Sequence, residues 1–149
     1  RSAAEVAELH KAAAEQNRSV EVLTFSHVVC RPTEAEAKDY VAHFTGDALD
    51  SVALDNLVNL QFAHAQSFPH DLLALIRDRM GMGHGGVPLI GTPEQVAEGL
   101  IGLHRAGFGG TTLSFVDYAQ EFPYFRDTVL PLLEAEGIRT PAAKTAVPA

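Results

Sequence analysis

The chain has 149 residues, 46% of them hydrophobic and 20% charged, the balance of one globular domain and not of a disordered segment. Its formal net charge of -8 argues against nucleic acid or an anionic membrane as partner, because phosphate contact needs a basic surface. The single cysteine, Cys30, can form no internal disulfide, no apolar run approaches the ~20 residues of a spanning helix, and no signal-peptide core is present, so a reducing cytoplasm is the expected home.

The first residues, Arg1 and Ser2, lack an initiator methionine and run straight into a helical pattern, which reads as a piece of a longer protein. Ser2 with Glu5 is a capping box, and Val6, Leu9 and Ala13 recur at helical spacing as far as about Gln16. "VEVLTFSHVVC", Val20 to Cys30, is apolar, β-branched and aromatic, and predicts a buried parallel strand. Thr33 and Glu36 form a second capping box for a helix with Ala37, Tyr40, Val41 and Phe44 on one face. From Thr45 to Arg79 the apolar positions, among them Leu49, Val52, Leu57, Leu60 and Phe62, keep helical spacing, and two helices broken near "QSFPHD" are expected, with Pro69 in a first turn.

"GMGHGG" then predicts a glycine loop and "VPLIG" a short buried strand. Thr92, Pro93 and Gln95 supply cap, first-turn proline and capping-box partner for the next helix, which ends at "RAGFGG". "TTLSFV" is the third predicted strand. "DYAQEFPYFRDTVLPLLEAEG" is a final helix with Phe122, Phe125, Val129, Leu132 and Leu133 inward, and the residues from Thr140 are an expected tail. Strands alternating with helices predict parallel βαβ units. A (β/α)8 barrel takes roughly 250 residues, so three such strands with a helical insertion fit about half of one.

Gly81, Gly83 and Gly86 match the G-x-G-x-x-G spacing of dinucleotide enzymes. That fingerprint must follow a strand and open a helix so that amides and helix dipole meet the pyrophosphate. Here the order is inverted, so the phosphate cradle is rejected, leaving a flexible connection or a mobile lid over a site.

His27 lies inside the first strand, where a buried imidazole needs a hydrogen-bond partner; it is either a satisfied core residue or, in a barrel, an inward-facing site residue. Cys30, with no histidine or lysine beside it, reads as a small buried hydrophobe. His10, His43 and His104 fall on helices away from strand ends, and His84, in the glycine loop, either is simply exposed or reaches a ligand when the loop closes. No metal-ligand spacing occurs, His64 and His70 do not share a helical face, and no nucleophile elbow is present, so no metal is expected. Asp117 and Tyr118 follow the third strand, where barrel enzymes place site residues, and Asp117 with Gln120 also forms a helix cap.

Together "FSHVVCRPTEAEA", "PLIGTPEQVAEGLIGLHRAGFGG" and "TLSFVDYAQEFPYFRDTVLPLLE" resemble the C-terminal half of the bacterial luciferase-like, flavin-dependent monooxygenases, the two-component group that includes alkanesulfonate monooxygenases. The likeness runs from about Ala3 to Arg139. It implies a TIM-type barrel that takes reduced FMN from a separate reductase and uses O2 to oxygenate a small organic substrate. His27 then corresponds to a strand histidine near the flavin and is the expected catalytic residue. His84, at the end of a mobile insertion, and Asp117 and Tyr118, after the last strand, are the expected cofactor-binding residues. Phe25 and Met82 stand where alkanesulfonate enzymes carry arginines, which points to a substrate less charged than a sulfonate. Relatives on the same barrel imply F420-dependent hydride transfer as the alternative, and a non-catalytic βα association module is a third reading. Exposed strand edges of a half barrel imply self-association into a homo-oligomer.

Overall fold

The computed structural model describes residues 3–62 and 70–141. In chain order the elements are α1 (Ala3–Glu15), β1 (Leu23–Cys30), α2 (Glu34–Thr45), α3 (Ser51–Phe62), α4 (His70–Gly83), β2 (Val87–Gly91), α5 (Pro93–Arg105), β3 (Gly110–Ser114), α6 (Tyr118–Thr128) and α7 (Leu130–Ala135). Local signals set several of these starts. Thr33 and Thr92 each accept from the backbone three residues on while Glu36 and Gln95 return the bond, so α2 and α5 both open on complete capping boxes. Ser2, the break near "QSFPHD" apart from its last residues, His64 and the expected tail beyond residue 141 lie outside the described residues.

The three strands are all parallel, in the order β2-β1-β3. β2 pairs with the second half of β1, from Ser26 opposite Val87 to Cys30 opposite Gly91, and β3 with the first half, from Leu23 opposite Gly110 to His27 opposite Ser114. Strand β1 starts three residues later than Val20 because its ladder with β3 begins only at Leu23. The chain moves to one side of β1 to make β2 and returns across it to make β3. Since parallel crossovers are right-handed, this reversal puts their helices on opposite faces, an arrangement that counting alternating strands and helices does not specify.

The contacts follow that rule. Val28 and Cys30 of β1, with Leu89 of β2 and Phe115 after β3, pack against Val96, Ala97, Leu100 and Ile101 of α5, Phe125 of α6 and Leu133 of α7. On the other face, the His27 ring meets Phe44 of α2 edge-on, with centroids 5.8 Å apart, and lies against Gly83 of α4. Period-two alternation along β1 thus divides the strand between two helical layers.

Three sequence expectations need correction, and one is met with a burial that spacing does not set. "GMGHGG" is not wholly a loop: α4 continues through Gly83, and the turn before β2 comprises only His84, Gly85 and Gly86. The last helix is two, because Pro131 has no N–H to carry the ladder past Val129. Within it Phe125, Val129 and Leu133 are buried but Phe122 is 42% exposed. On α3 the spacing is helical, yet Val52 and Leu60 are 70% and 80% exposed, and Leu54 is the residue buried instead.

Candidate active site

Two groups of side chains meet near the sheet. The first is built on His27, which is 5% exposed at the centre of β1. Its Nδ1 is 3.0 Å from the hydroxyl of Ser114, the residue opposite it on β3. Its Nε2 is buried and finds no hydrogen-bond partner among the described residues. Burial holds the imidazole below its ordinary pKa, partly offset by the negative charge of Glu121. A neutral ring with one unsatisfied nitrogen is therefore held beneath Phe44 and α4. Gly83 allows this approach, since a Cβ there would fall 2.2 Å from Cγ of His27. Gly86 does the same for Phe25, with 2.7 Å to its Cδ1. Two of the three glycines in the rejected fingerprint thus serve close packing against β1.

The second group closes the carboxyl ends of β1 and β3. Arg31, immediately after β1, extends the sheet by donating its N–H to the Gly91 carbonyl at 3.0 Å. Its guanidinium donates to Oε1 of Glu121 at 2.5 Å and to the Cys30 carbonyl at 2.9 Å, and lies 4.0 Å from the centre of the Tyr40 ring. Glu121, buried in the first turn of α6, accepts on its other oxygen from the N–H groups of Val116 and Asp117 at 3.0 and 3.2 Å. Oδ1 of Asp117 accepts from the N–H groups of Ala119 and Gln120 at 3.0 and 3.1 Å. A cleft of about 490 Å³ opens above this cluster, bounded by Arg31, Tyr40, Asp117, Glu121 and Tyr124.

The four sequence-predicted site residues do not converge on one point. Asp117 caps α6, as its spacing implied, and lines the cleft. Tyr118 is 56% exposed; its hydroxyl donates to the Leu113 carbonyl at 3.1 Å and its ring meets Phe115. His84 is exposed on the turn between α4 and β2, with φ of 56°. His27 lies inside the sheet, joined to β3 by Ser114. Cys30 is buried, and burial pushes its thiol up to about 11, which fits a packing role. His10, His43 and His104 are exposed.

Arg31, Glu121 and Ser114 were not singled out by sequence reasoning. Arg31 carries a usable signal, a cation directly after an apolar strand, and Glu121 falls one turn beyond the Asp117 cap. Ser114 carries none, because its partner is 87 residues away.

Residues 1–110 match the luciferase-like monooxygenases. The chain belongs to the luciferase-like monooxygenase family. Over 148 residues it is 28% identical to an FMNH(2)-dependent dimethylsulfone monooxygenase of Pseudomonas fluorescens, covering 96% of this chain and 40% of that protein. The crystal structure of DmoA from Hyphomicrobium sulfonivorans superposes with a TM-score of 0.74 at 18% identity, over 95% of this chain and 36% of that one. Riboflavin lyase RcaE, solved with modified FMN and riboflavin, gives a TM-score of 0.62 at 23% identity over 93% and 37%. The chain thus spans about 40% of the length of the curated relative it matches. The three parallel strands and their helices match part of the luciferase-like barrel structures. Among the described residues, no helix of this family member is long and apolar enough to cross a membrane.

Proposed function

We propose that this chain is the C-terminal part of an FMN-dependent monooxygenase that receives reduced flavin from a separate reductase and oxygenates a small, uncharged organic substrate. The observation that carries the reading is the buried Nε2 of His27, a polar atom that β1 holds in place and that has no hydrogen-bond partner among the described residues. The flavin ring system offers N–H donors that would complete it.

The residues of this chain fit the ring end of the cofactor and not its phosphate. The N-terminal amides of α6 are taken by Asp117 and Glu121, and α2 and α5 open on capping boxes with Glu34, Glu36 and Glu94 in their first turns. An anion at those helix starts would meet carboxylates in place of free amides. We therefore assign the phosphate to residues outside this chain. When bound, reduced FMN supplies the electrons that activate O2. His27 would hold its neutral Nε2 against the ring or the reacting substrate, while Phe25 and Phe44 keep water from it. His84, Asp117 and Tyr118 would touch the cofactor from the rim.

An uncharged substrate accords with the apolar residues at the two positions where the sulfonate enzymes carry arginine. Phe25 packs against Gly86, and Met82 is half-buried and lines a small cavity together with Leu49 and Leu54. The name of the dimethylsulfone relative describes a neutral, polar molecule of this kind. A free, buried thiol at Cys30 suits a reducing compartment. The outer edges of β2 and β3 suit the remaining strands of a barrel, and self-association is the expected fate of the 149 residues without them.

The test is anaerobic titration of the whole protein that contains this chain with reduced FMN and, separately, reduced F420, followed by admission of O2 with dimethylsulfone or an alkanesulfonate. Tight binding of reduced FMN and O2-dependent turnover of the sulfone are expected. Binding of F420 alone would overturn the reading.

A further inference from the structure

We infer that Ser114 is a positioning residue that fixes the tautomer of His27, placing the proton on Nδ1 and leaving Nε2 as a hydrogen-bond acceptor toward an N–H or O–H donor. The inference rests on the functional reading above for the identity of that donor, but its geometry stands without it.

The Ser114 hydroxyl has two neighbours that matter, Nδ1 of His27 at 3.0 Å and the backbone carbonyl oxygen of Ser26 at 3.5 Å. A carbonyl can only accept, so a chain that ends on it has one direction: Nδ1–H donates to Oγ, and Oγ–H donates to the Ser26 carbonyl. In the reverse arrangement Ser114 would donate to Nδ1, and the ring proton would move to Nε2. That would leave an N–H donor buried without a partner in a residue 5% exposed. Buried orphan N–H groups are rarer than under-used acceptors, which favours the first arrangement. The second hydroxyl nearby does not compete, because Ser26 pairs its own side chain with Thr111 at 2.8 Å. Strand register maintains the geometry, since His27 and Ser114 are direct partners across β1 and β3, and Gly83 and Phe44 close over the ring from the other layer.

Function follows from direction. A histidine protonated on Nε2 would donate to the flavin or substrate, whereas one protonated on Nδ1 accepts a proton or a hydrogen bond there. Ser114 thereby decides which role His27 plays without touching the ligand.

The experiment is ¹⁵N NMR of the whole protein labelled at its histidine ring nitrogens, flavin-free and near neutral pH. His27 is assigned by the signals lost in His27→Gln or, should that variant not fold, in His27→Asn. A pyridine-type shift at Nε2 and a pyrrole-type shift at Nδ1 are expected. In Ser114→Ala the tautomer ratio should move about five- to tenfold, the scale of one hydrogen bond, and Ser114→Thr should restore it. With flavin and substrate present, Ser114→Ala should lower kcat with KM little changed, and Ser114→Thr should recover it. A protonated Nε2 in the unsubstituted protein, or a tautomer ratio unmoved in Ser114→Ala, would overturn the inference. The expected tautomer in a protein that binds no reduced FMN would leave it standing and overturn the proposed function instead.

Discussion

Gly83 at the end of α4 and His27 at the centre of β1 are in contact so close that a methyl group on Gly83 would lie 2.2 Å from Cγ of the imidazole. Gly83→Ala should therefore destabilise the protein although alanine is the better helix former. The helical preference is worth about 1 kcal/mol, while forcing a methyl into a packed contact costs about 1–3 kcal/mol. Gly102, on the exposed side of α5 with nothing within 4 Å of an added Cβ, supplies the contrast. Gly102→Ala should stabilise by about 0.5–1 kcal/mol. Urea unfolding of the two variants should move the midpoints in opposite directions; a shared direction would mean that α4 does not rest on His27.

Glu121 joins three partners, the Arg31 guanidinium and the N–H groups of Val116 and Asp117. Glu121→Gln removes the charge and keeps the shape, so the guanidinium loses its counter-ion above the Tyr40 ring. Breaking a fully buried pair from one side costs about 3–5 kcal/mol. Arg31 retains some contact with water, its side chain being 23% exposed, which reduces the expected loss to about 2 kcal/mol. A double-mutant cycle with Arg31→Met should return a coupling of about 1–3 kcal/mol. Additive losses would mean that the ion pair contributes nothing between the ends of β1 and α6.

Cys30 offers a test of burial by reactivity. Its thiol is pushed up to about 11 by desolvation, outweighing the hydrogen bond with Thr128 and the Arg31 charge that favour the thiolate. At pH 8 roughly one molecule in a thousand carries the reactive thiolate. Iodoacetamide should label the native protein at least about a hundredfold more slowly than the urea-unfolded chain, because access is blocked as well. Prompt native labelling, followed by mass spectrometry, would place Cys30 at an open surface.

The starts of α2 and α5 were legible in the sequence because cap, first-turn residue and reciprocal carboxylate or amide lie within four positions of one another. The strands were legible as short apolar runs, and the alternation of elements carried the α/β class. Register was not, and it sets the site: nothing near His27 announces Ser114, 87 residues on. The glycines show the same limit. Their spacing suggested hinge freedom, whereas the need for Gly83 and Gly86 comes from His27 and Phe25 on another element. Exposure of Val52 and Leu60 was hidden for the converse reason, since helical period states which residues share a face and not whether that face is covered.

His27 should make the fold sensitive to mild acid. Burial lowers its folded pKa below the ordinary value of 6.5, with Glu121 opposing the shift only in part. Above pH 6.5 the ring is neutral in both folded and unfolded chains, and its titration contributes no pH dependence. As pH falls through 6.5 the unfolded chain takes up a proton that the folded ring still refuses, so stability declines until the folded pKa is passed, and then levels off. One proton allows a slope of at most about 1.4 kcal/mol per pH unit. Thermal unfolding between pH 7.5 and 5 should thus show a falling Tm, with a smaller fall in His27→Gln, which cannot titrate. All other residues are the same in both proteins, so the difference between the two curves isolates His27. A steeper fall in the variant than in the parent would mean that the folded ring binds its proton more tightly than the unfolded chain does. That result would contradict the neutral, Ser114-anchored imidazole on which the site is built.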